Sequence, residues 1–369
     1  MSRTGSFPLD VAHNLISEHA LAGSTVLDPF CGKGTVLLAA RMLGCSAYGM
    51  DVAPEAVVCS LAKVQDVTLE SVQRYVRSMR AEPLPVDSVP PTVRIFFEQR
   101  TLSQILGIQQ VLMRDSCCGD VKKQANAVFV MATLLGILHG HASYSLSVPS
   151  AHAYSMSPAY VERYAMKHGL KAPARDVRQC LLEKASRCLE VPLPKAVPAD
   201  VRRASAVQCS MKFPDLVGKV DLIVTSPPYL NAQTYAKDNW LRIWLLGYAY
   251  RDILGDYIAT GCLRRYRDSM TEVFRDLRKM FKPGGRLICV AGDISLGKGK
   301  GEKTDHQLVR TGLVLAELSE SSEVGLDVVH TSEHTVPSSS RYFHSLSKSN
   351  GHAKRDLVER VFIAVKPSR

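Results

Sequence analysis

Ser24-Thr-Val-Leu-Asp28, followed at once by Pro29-Phe-Cys-Gly-Lys-Gly-Thr35, is the stretch from which the fold can be read. Its first residues are apolar and β-prone and close on an acid, the pattern of a short buried strand. Gly32 and Gly34 then form a turn where backbone can approach a ligand, because no Cβ stands in the way. The run Val36-Leu-Leu-Ala-Ala-Arg-Met-Leu43 is amphipathic and predicts a helix. Strand, glycine turn and helix in that order are the layout of a nucleotide-cofactor site in an α/β fold.

Two other glycine motifs are excluded by position. The dinucleotide fingerprint needs a third glycine where this chain has Leu37. A phosphate-binding P-loop needs a glycine at Leu27 and Ser or Thr at Gly34. The run Gly292 to Lys298 has the first spacing but is again followed by a glycine, Gly299. A second strand, Ser46-Ala-Tyr-Gly-Met-Asp51, also ends in an acid. An acid at that place suits the two hydroxyls of a ribose. Its other reading is a helix cap or turn residue, because Pro54 opens a helix-like run.

Far downstream, Val220-Asp-Leu-Ile-Val-Thr225 reads as a further buried strand and delivers Ser226-Pro227-Pro228-Tyr229 to its carboxyl end. Ligands of open α/β sheets bind outside the carboxyl ends of strands. A Pro-Pro pair alone also reads as a rigid surface turn.

Together, Asp28 to Thr35 and Thr225-Ser-Pro-Pro-Tyr229 resemble the motifs of the amino-methylating DNA methyltransferases, over most of the chain. The resemblance implies a class I, Rossmann-like α/β fold with a seven-stranded, mostly parallel sheet. It implies S-adenosylmethionine as cofactor, with Asp28, Pro29, Phe30, Cys31, Gly32, Gly34 and Thr35 around its methionine part and Asp51 on its ribose. Gly5-Ser-Phe7-Pro8 resembles the segment that closes over the cofactor, so Phe7 joins that set. The family usually has Asp after the third strand, facing the adenine amino group. Here Ala206-Val-Gln-Cys209 reads as that strand and Ser210 follows, a departure that leaves one hydroxyl, or Asp215, for the contact.

The implied catalytic residues are Ser226, Pro227, Pro228 and Tyr229. The amino group of a base is a poor nucleophile, because its lone pair is delocalised into the ring. Acceptors at Ser226 and at the carbonyl of Pro227 would take both amino hydrogens and turn the lone pair toward the methyl group. Prolines fix the backbone and offer no competing N–H, and Tyr229 offers a face for stacking. A base in a duplex must be flipped out to reach such a site. Catalysis is then mainly positioning, with no strong general base required. Ser at position 226 is commoner among cytosine-N4 methylators and Asp or Asn among adenine-N6 methylators, so cytosine N4 is favoured and adenine N6 is the alternative.

The 369 residues carry a formal charge of +11, and its location is informative. Residues 161–203 sum to +5 and residues 264–310 to +6, while the first 65 sum to −1. Such segments suit a phosphate backbone; alone they also fit a solvated basic surface. Arg175, Arg178, Arg202, Arg203, Lys298, Lys300 and Arg341 are the candidate contacts to double-stranded DNA. A cognate restriction endonuclease is a partner that the resemblance allows. No run of 18 apolar residues and no signal peptide is present, so a cytoplasmic protein, on the nucleoid when bound to DNA, is expected and no membrane partner. Ten cysteines contain no C-x-x-C pair, and His139, His141 and His152 lack cysteines at zinc spacing, so no metal is expected.

Proline-rich edges at Pro83–Pro91 and Pro192–Pro198 bracket apolar helical patterns, including Lys122 to Leu138, Val161 to His168 and Asp176 to Leu189. The chain is therefore expected to divide into a first core segment (1–65), a mainly helical insertion serving target recognition (66–203) and a second core segment (204–369). Ser145 to Tyr154 in the insertion reads as a loop, for DNA or as a linker. Trp240 and Trp244, four apart, read as core packing. Rival functions are an RNA guanine-N2 methyltransferase, for which the 27 residues before Asp28 leave little room for an RNA-binding domain, and a protein-glutamine methyltransferase. A non-catalytic nucleic-acid-binding module is the rival of another class.

Overall fold

Three of the apolar runs become neighbouring parallel strands. In the computed structural model, which describes residues 8–149, 154–228, 230, 235–258, 260, 262–298, 305–336 and 357–368, they are β1 (Thr25–Asp28), β2 (Ser46–Asp51) and β4 (Val220–Thr225). Strand β3 (Ala199–Arg203) pairs with β2, and β5 (Phe281–Gly292) pairs with β4. A short hairpin, β6 (Ile294–Lys298) and β7 (Asp305–Val309), stands apart from the main sheet. Strands β8 (Asp327–Val336) and β9 (Leu357–Val365) complete it in the order β3-β2-β1-β4-β5-β9-β8. Among the described strands of this sheet, β9 runs opposite to the other six, antiparallel to both β5 and β8. The expected seven-stranded, mostly parallel sheet is thus present.

The alternation along the strands feeds two cores. Val26, Leu222, Val224 and Ile288 face the helices Leu9–His19, Thr35–Met42 and Pro54–Val64. Leu27, Ile223, Leu287 and Cys289 face the other side, against the helices Leu263–Met280 and Thr311–Glu320. A sheet buried on both faces needs apolar residues at nearly every position, which is why these strands read as continuous apolar runs.

The third strand differs from expectation. Ala206–Gln208 is a 3₁₀ turn and Cys209–Lys212 one helical turn. The strand is Ala199–Arg203, whose register runs from Ala47↔Ala199 to Asp51↔Arg203. It is an edge strand with Val201 as its buried residue, so it carries little apolar signal.

Residues between β2 and β3 form helices with a core of their own. Val121–Ile137 is buried along most of its length and packs against Leu69–Ser78, Gln99–Asp115 and Val177–Cys188. Pro158 and Gly169 punctuate the helix Pro158–His168, with Gly169 in the left-handed conformation at its end. Trp240 and Trp244 pack against this same core, as their spacing suggested. The buried guanidinium of Arg41 holds the two stems of this region together. It donates to the carbonyls of Lys63 (3.0 Å) and Gln65 (2.7 Å) on one stem and of Lys195 (3.3 Å) on the other.

Candidate functional site

The carboxyl ends of β1, β2, β3 and β4 enclose a cleft of about 860 Å³, open mouth included. Its floor is the Asp28–Thr35 turn. Gly32 (φ 51°) and Gly34 (φ 75°) both stand in the left-handed region. The amide of Gly32 donates to Asp51 Oδ2 (2.9 Å), and its carbonyl accepts from Ser60 Oγ (2.9 Å). The amide of Cys31 donates to the carbonyl of Met50 (2.9 Å). The turn is therefore pinned to the end of β2 and to the helix Pro54–Val64.

Asp51 lines the cleft and also carries structure, since its Oδ1 accepts the Ala53 amide (2.9 Å). Asp28 is fully buried. Its Oδ1 accepts the Phe30 amide (3.1 Å) and the Thr225 hydroxyl (2.7 Å). Through that second bond the ends of β1 and β4, and with them the glycine turn and the Ser226–Pro228 loop, meet at one carboxyl group although Asp28 and Thr225 are 197 residues apart.

Burial pushes the Asp28 carboxyl up to about 7; the Thr225 and Phe30 hydrogen bonds pull it back, and nearby Asp51 adds to the rise. A carboxyl that keeps its proton to about 7 when folded, but releases it near 3.8 when unfolded, lends stability fully below the lower value. That stability is lost as pH rises through the upper one. Urea melts of Asp28→Asn and the parent chain between pH 4 and 8 check this. The variant, which keeps an acceptor for both donors, is expected to gain on the parent as pH rises, by up to roughly 4 kcal/mol at about 1.4 kcal/mol per pKa unit. Parallel curves would mean that Asp28 is ionised throughout.

Ser226, Pro227 and Pro228 come directly after Thr225 and line the same cleft as Asp28, Phe30, Gly32 and Asp51. Pro29, Cys31 and Thr35 line it too. The Cys31 thiol is buried, 3.5 Å from Ser60 Oγ. Gly34 shapes the turn from behind, in contact with Ser60. Ser210 is not brought to the cleft. Its amide and hydroxyl both go to Asp276 (2.8 and 2.5 Å), and Ala204, Ser205 and Ala206 hold the place after the third strand. The displacement follows from where that strand ends. Phe7, Tyr229, Lys300 and Arg341 lie outside the described residues, and of Lys298 the structure describes the backbone, as the end of β6.

The remaining phosphate candidates each make a contact within the chain. Arg202 pairs with Asp200 (2.7 Å) and lies over the Phe213 ring, 4.5 Å from its centre. Arg203 is held at the rim of the cleft by Val52, Tyr248 and Asp256. Arg178 donates to the Ala81 carbonyl (3.2 Å), and the Arg175 amide donates to Thr101 Oγ1 (2.9 Å). Each thus has a structural contact in this chain; contact with DNA remains an expectation.

Sequence reasoning missed the outer wall of the cleft, Asp256, Tyr257 and Ile258. No motif marks them, since they leave a short 3₁₀ turn (Leu254–Asp256) between two helical regions. Lys33, Val36 and Val52 also line the cleft, and adjacency to the quoted strings was signal enough to find them. His139 is buried between Ser155 Oγ (3.1 Å) and Ser147 Oγ (3.4 Å), and burial holds its imidazole well below its usual value. Among the described residues no helix is long and apolar enough to cross a membrane.

The family model described as DNA methylase matches residues 3–62. Type II methyltransferase M.BsoBI of Geobacillus stearothermophilus is 47% identical over 49 residues, 13% of this chain and 10% of that protein. Type II methyltransferase M.MthZI of Methanothermobacter thermautotrophicus is 36% identical over 50 residues, 14% of each chain. A solved SAM-dependent methyltransferase of Methanosarcina mazei aligns with 96% of this chain and 98% of its own, at 10% identity and a TM-score of 0.35. The matched segments thus cover a small part of the two type II relatives. It is the first helix, β1, its glycine turn, β2 and most of the helix Pro54–Val64 that the DNA methylase model matches in this chain.

Proposed function

We propose that this chain is a site-specific DNA methyltransferase that moves a methyl group from S-adenosylmethionine to an exocyclic amino nitrogen of a flipped-out base, cytosine N4 before adenine N6. One observation carries the reading. The turn matched by the DNA methylase model and the Ser226–Pro228 loop line a single cleft and are joined through Asp28 and Thr225. The cleft suits such a cofactor by its place at the carboxyl ends of the strands and by its lining, the turn Pro29–Gly32 together with the acid Asp51.

When bound, S-adenosylmethionine supplies an electrophilic methyl group. The turn Pro29–Thr35 would hold its methionine part and Asp51 its ribose. At the other end of the cleft, Ser226 Oγ and the carbonyl of Pro227 would accept the two amino hydrogens of the base. Pro227 and Pro228 have no N–H to compete with that amino group. The leaving group is a neutral thioether and the methylated nitrogen, briefly cationic, gives up one hydrogen as a proton to solvent, so these residues orient and desolvate instead of withdrawing a proton beforehand. Serine at 226 favours cytosine N4 by resemblance. The basic segments 161–203 and 264–310 would meet the phosphates of the duplex. Restriction-modification is the setting that the type II relatives suggest.

Nucleoside mass spectrometry tests the reading. Unmethylated plasmid DNA and bulk RNA are incubated separately with the protein and isotope-labelled S-adenosylmethionine, then digested. Labelled N4-methylcytosine in DNA is expected. Labelled N6-methyladenine would keep the chemistry and change the base. Label in RNA alone, or none at all with cofactor-binding protein, would overturn the proposal.

A further inference from the structure

Arg203 was expected on the DNA, and the structure gives its guanidinium another task. It ends β3 directly beside Asp51, in register with it. Its Nε donates to the Val52 carbonyl (3.1 Å), which lies on the cleft side of β2. Its Nη2 stands 3.6 Å from the Asp256 carboxylate, and its Cζ lies over the Tyr248 ring, 4.5 Å from the centre. One side chain thus joins the end of β2 to both ends of the segment 248–256.

The backbone of that segment is tied mostly to itself. Among the described residues, the backbone hydrogen bonds of residues 248–257 stay within residues 243–257. Its apolar anchors are a small cluster of Ile253 with Ala236 and Ile243, on which Tyr250 and Tyr257 pack, and at its end Ile258 against the core under the helix Leu263–Met280. Units with few buried apolar contacts open most readily. The segment ends in Asp256, Tyr257 and Ile258, the outer wall of the cleft. Ala236 and Ile243 belong to the helices that come after the Ser226–Pro228 loop, so wall and loop share one small packing unit.

We infer that Arg203 is a positioning residue that holds the segment 248–258 against the sheet as the outer wall of the cofactor cleft. This rests on the proposed role of the cleft as the S-adenosylmethionine site. The residue works through geometry: a guanidinium over Tyr248, one N–H directed at the Val52 carbonyl and charge beside Asp256, which lysine cannot reproduce together. Loss of the latch lets the wall swing out, so bound cofactor leaves sooner while the floor that recognises it is intact.

The test compares Arg203→Ala, Arg203→Lys and Tyr248→Ala with the parent chain. Tyr248 does not line the cleft, so its variant reports the latch alone. Stopped-flow chase of S-adenosylmethionine is expected to show dissociation about tenfold faster in Arg203→Ala and about threefold faster in the other two, with the association rate little changed. Without any ligand, trypsin is expected to cut after exposed Arg251 several-fold faster in Arg203→Ala. DNA affinity and its salt slope are expected to stay at parental values. Unchanged cofactor dissociation together with unchanged cleavage at Arg251 overturns the inference. A salt slope shallower by about 0.9 with cofactor kinetics unchanged makes Arg203 a phosphate contact and overturns it too. If the parent chain binds no S-adenosylmethionine, the proposed methyltransferase function fails. The protease comparison then decides the latch by itself.

Discussion

Ser226→Ala is expected to lower methyl transfer by about a hundredfold or more, the usual loss when one preorganised hydrogen-bonding group is removed from a reacting centre. Cofactor affinity is expected to stay within about twofold of the parent, since the substitution leaves the glycine turn untouched. The structure makes this separation clean. Thr225, one residue earlier, is buried and fixed to Asp28 by a 2.7 Å hydrogen bond, so the backbone that presents position 226 does not depend on the serine hydroxyl. Pro227 and Pro228 stiffen the next two positions. The variant therefore removes one acceptor from a loop held in place on its upstream side. Single-turnover transfer of labelled methyl to DNA gives the first quantity, and calorimetric titration with S-adenosylmethionine gives the second. A variant that methylates DNA at the parental rate would remove Ser226 from the chemistry and leave the Pro227 carbonyl as the acceptor. Thr225→Val is the companion experiment. It keeps Ser226 but breaks the bond to Asp28, and a fall in turnover there would report the cost of losing position alone.

What could be read in advance divides along physical lines. Strands β1, β2 and β4 announce themselves because both faces are buried, so their sequences are short apolar runs that end at the cleft. The glycine turn was legible because left-handed backbone is costly for other residues. The edge strand Ala199–Arg203 was not, because one buried residue in five leaves no pattern. Ala206–Cys209 has the stronger β-prone composition and yet winds into a 3₁₀ turn at the cleft rim. Ser210 was misplaced by the same error. The partnership of Asp28 with Thr225 involves two residues already singled out, but it needs β1 and β4 to be neighbours, which the sequence order of the strands does not state. The wall at Asp256–Ile258 and the arginine that holds it arise from tertiary placement of a short turn, for which no local periodicity exists.

Gly34→Ala is expected to be the most damaging single-methyl change in the cofactor turn. Two effects meet at that position. The backbone has φ 75° and ψ 38°, left-handed geometry that costs an L-residue about 1–2 kcal/mol. A Cβ there would also stand 2.8 Å from Ser60 Oγ and 2.9 Å from Ser60 Cα. The second atom is backbone of the helix Pro54–Val64, so no rotamer change relieves it; the turn and the helix must separate. Overpacking of this kind costs about 1–3 kcal/mol more. The separation would stretch the bond from Ser60 Oγ to the Gly32 carbonyl, which helps fix the cleft floor. Loss of roughly 2–5 kcal/mol in urea melts and at least about a tenfold fall in S-adenosylmethionine affinity are therefore expected. Gly23→Ala separates the two effects. Gly23 has φ 89° and open space where a Cβ would go, so it carries the conformational cost without the collision. Adding Ser60→Ala to Gly34→Ala removes the hydroxyl but leaves Ser60 Cα in place, so affinity is expected to stay low. If Gly34→Ala costs no more than Gly23→Ala and binds cofactor like the parent, contact between this turn and Ser60 is not what shapes the cleft. The left-handed turn alone would then account for the glycine.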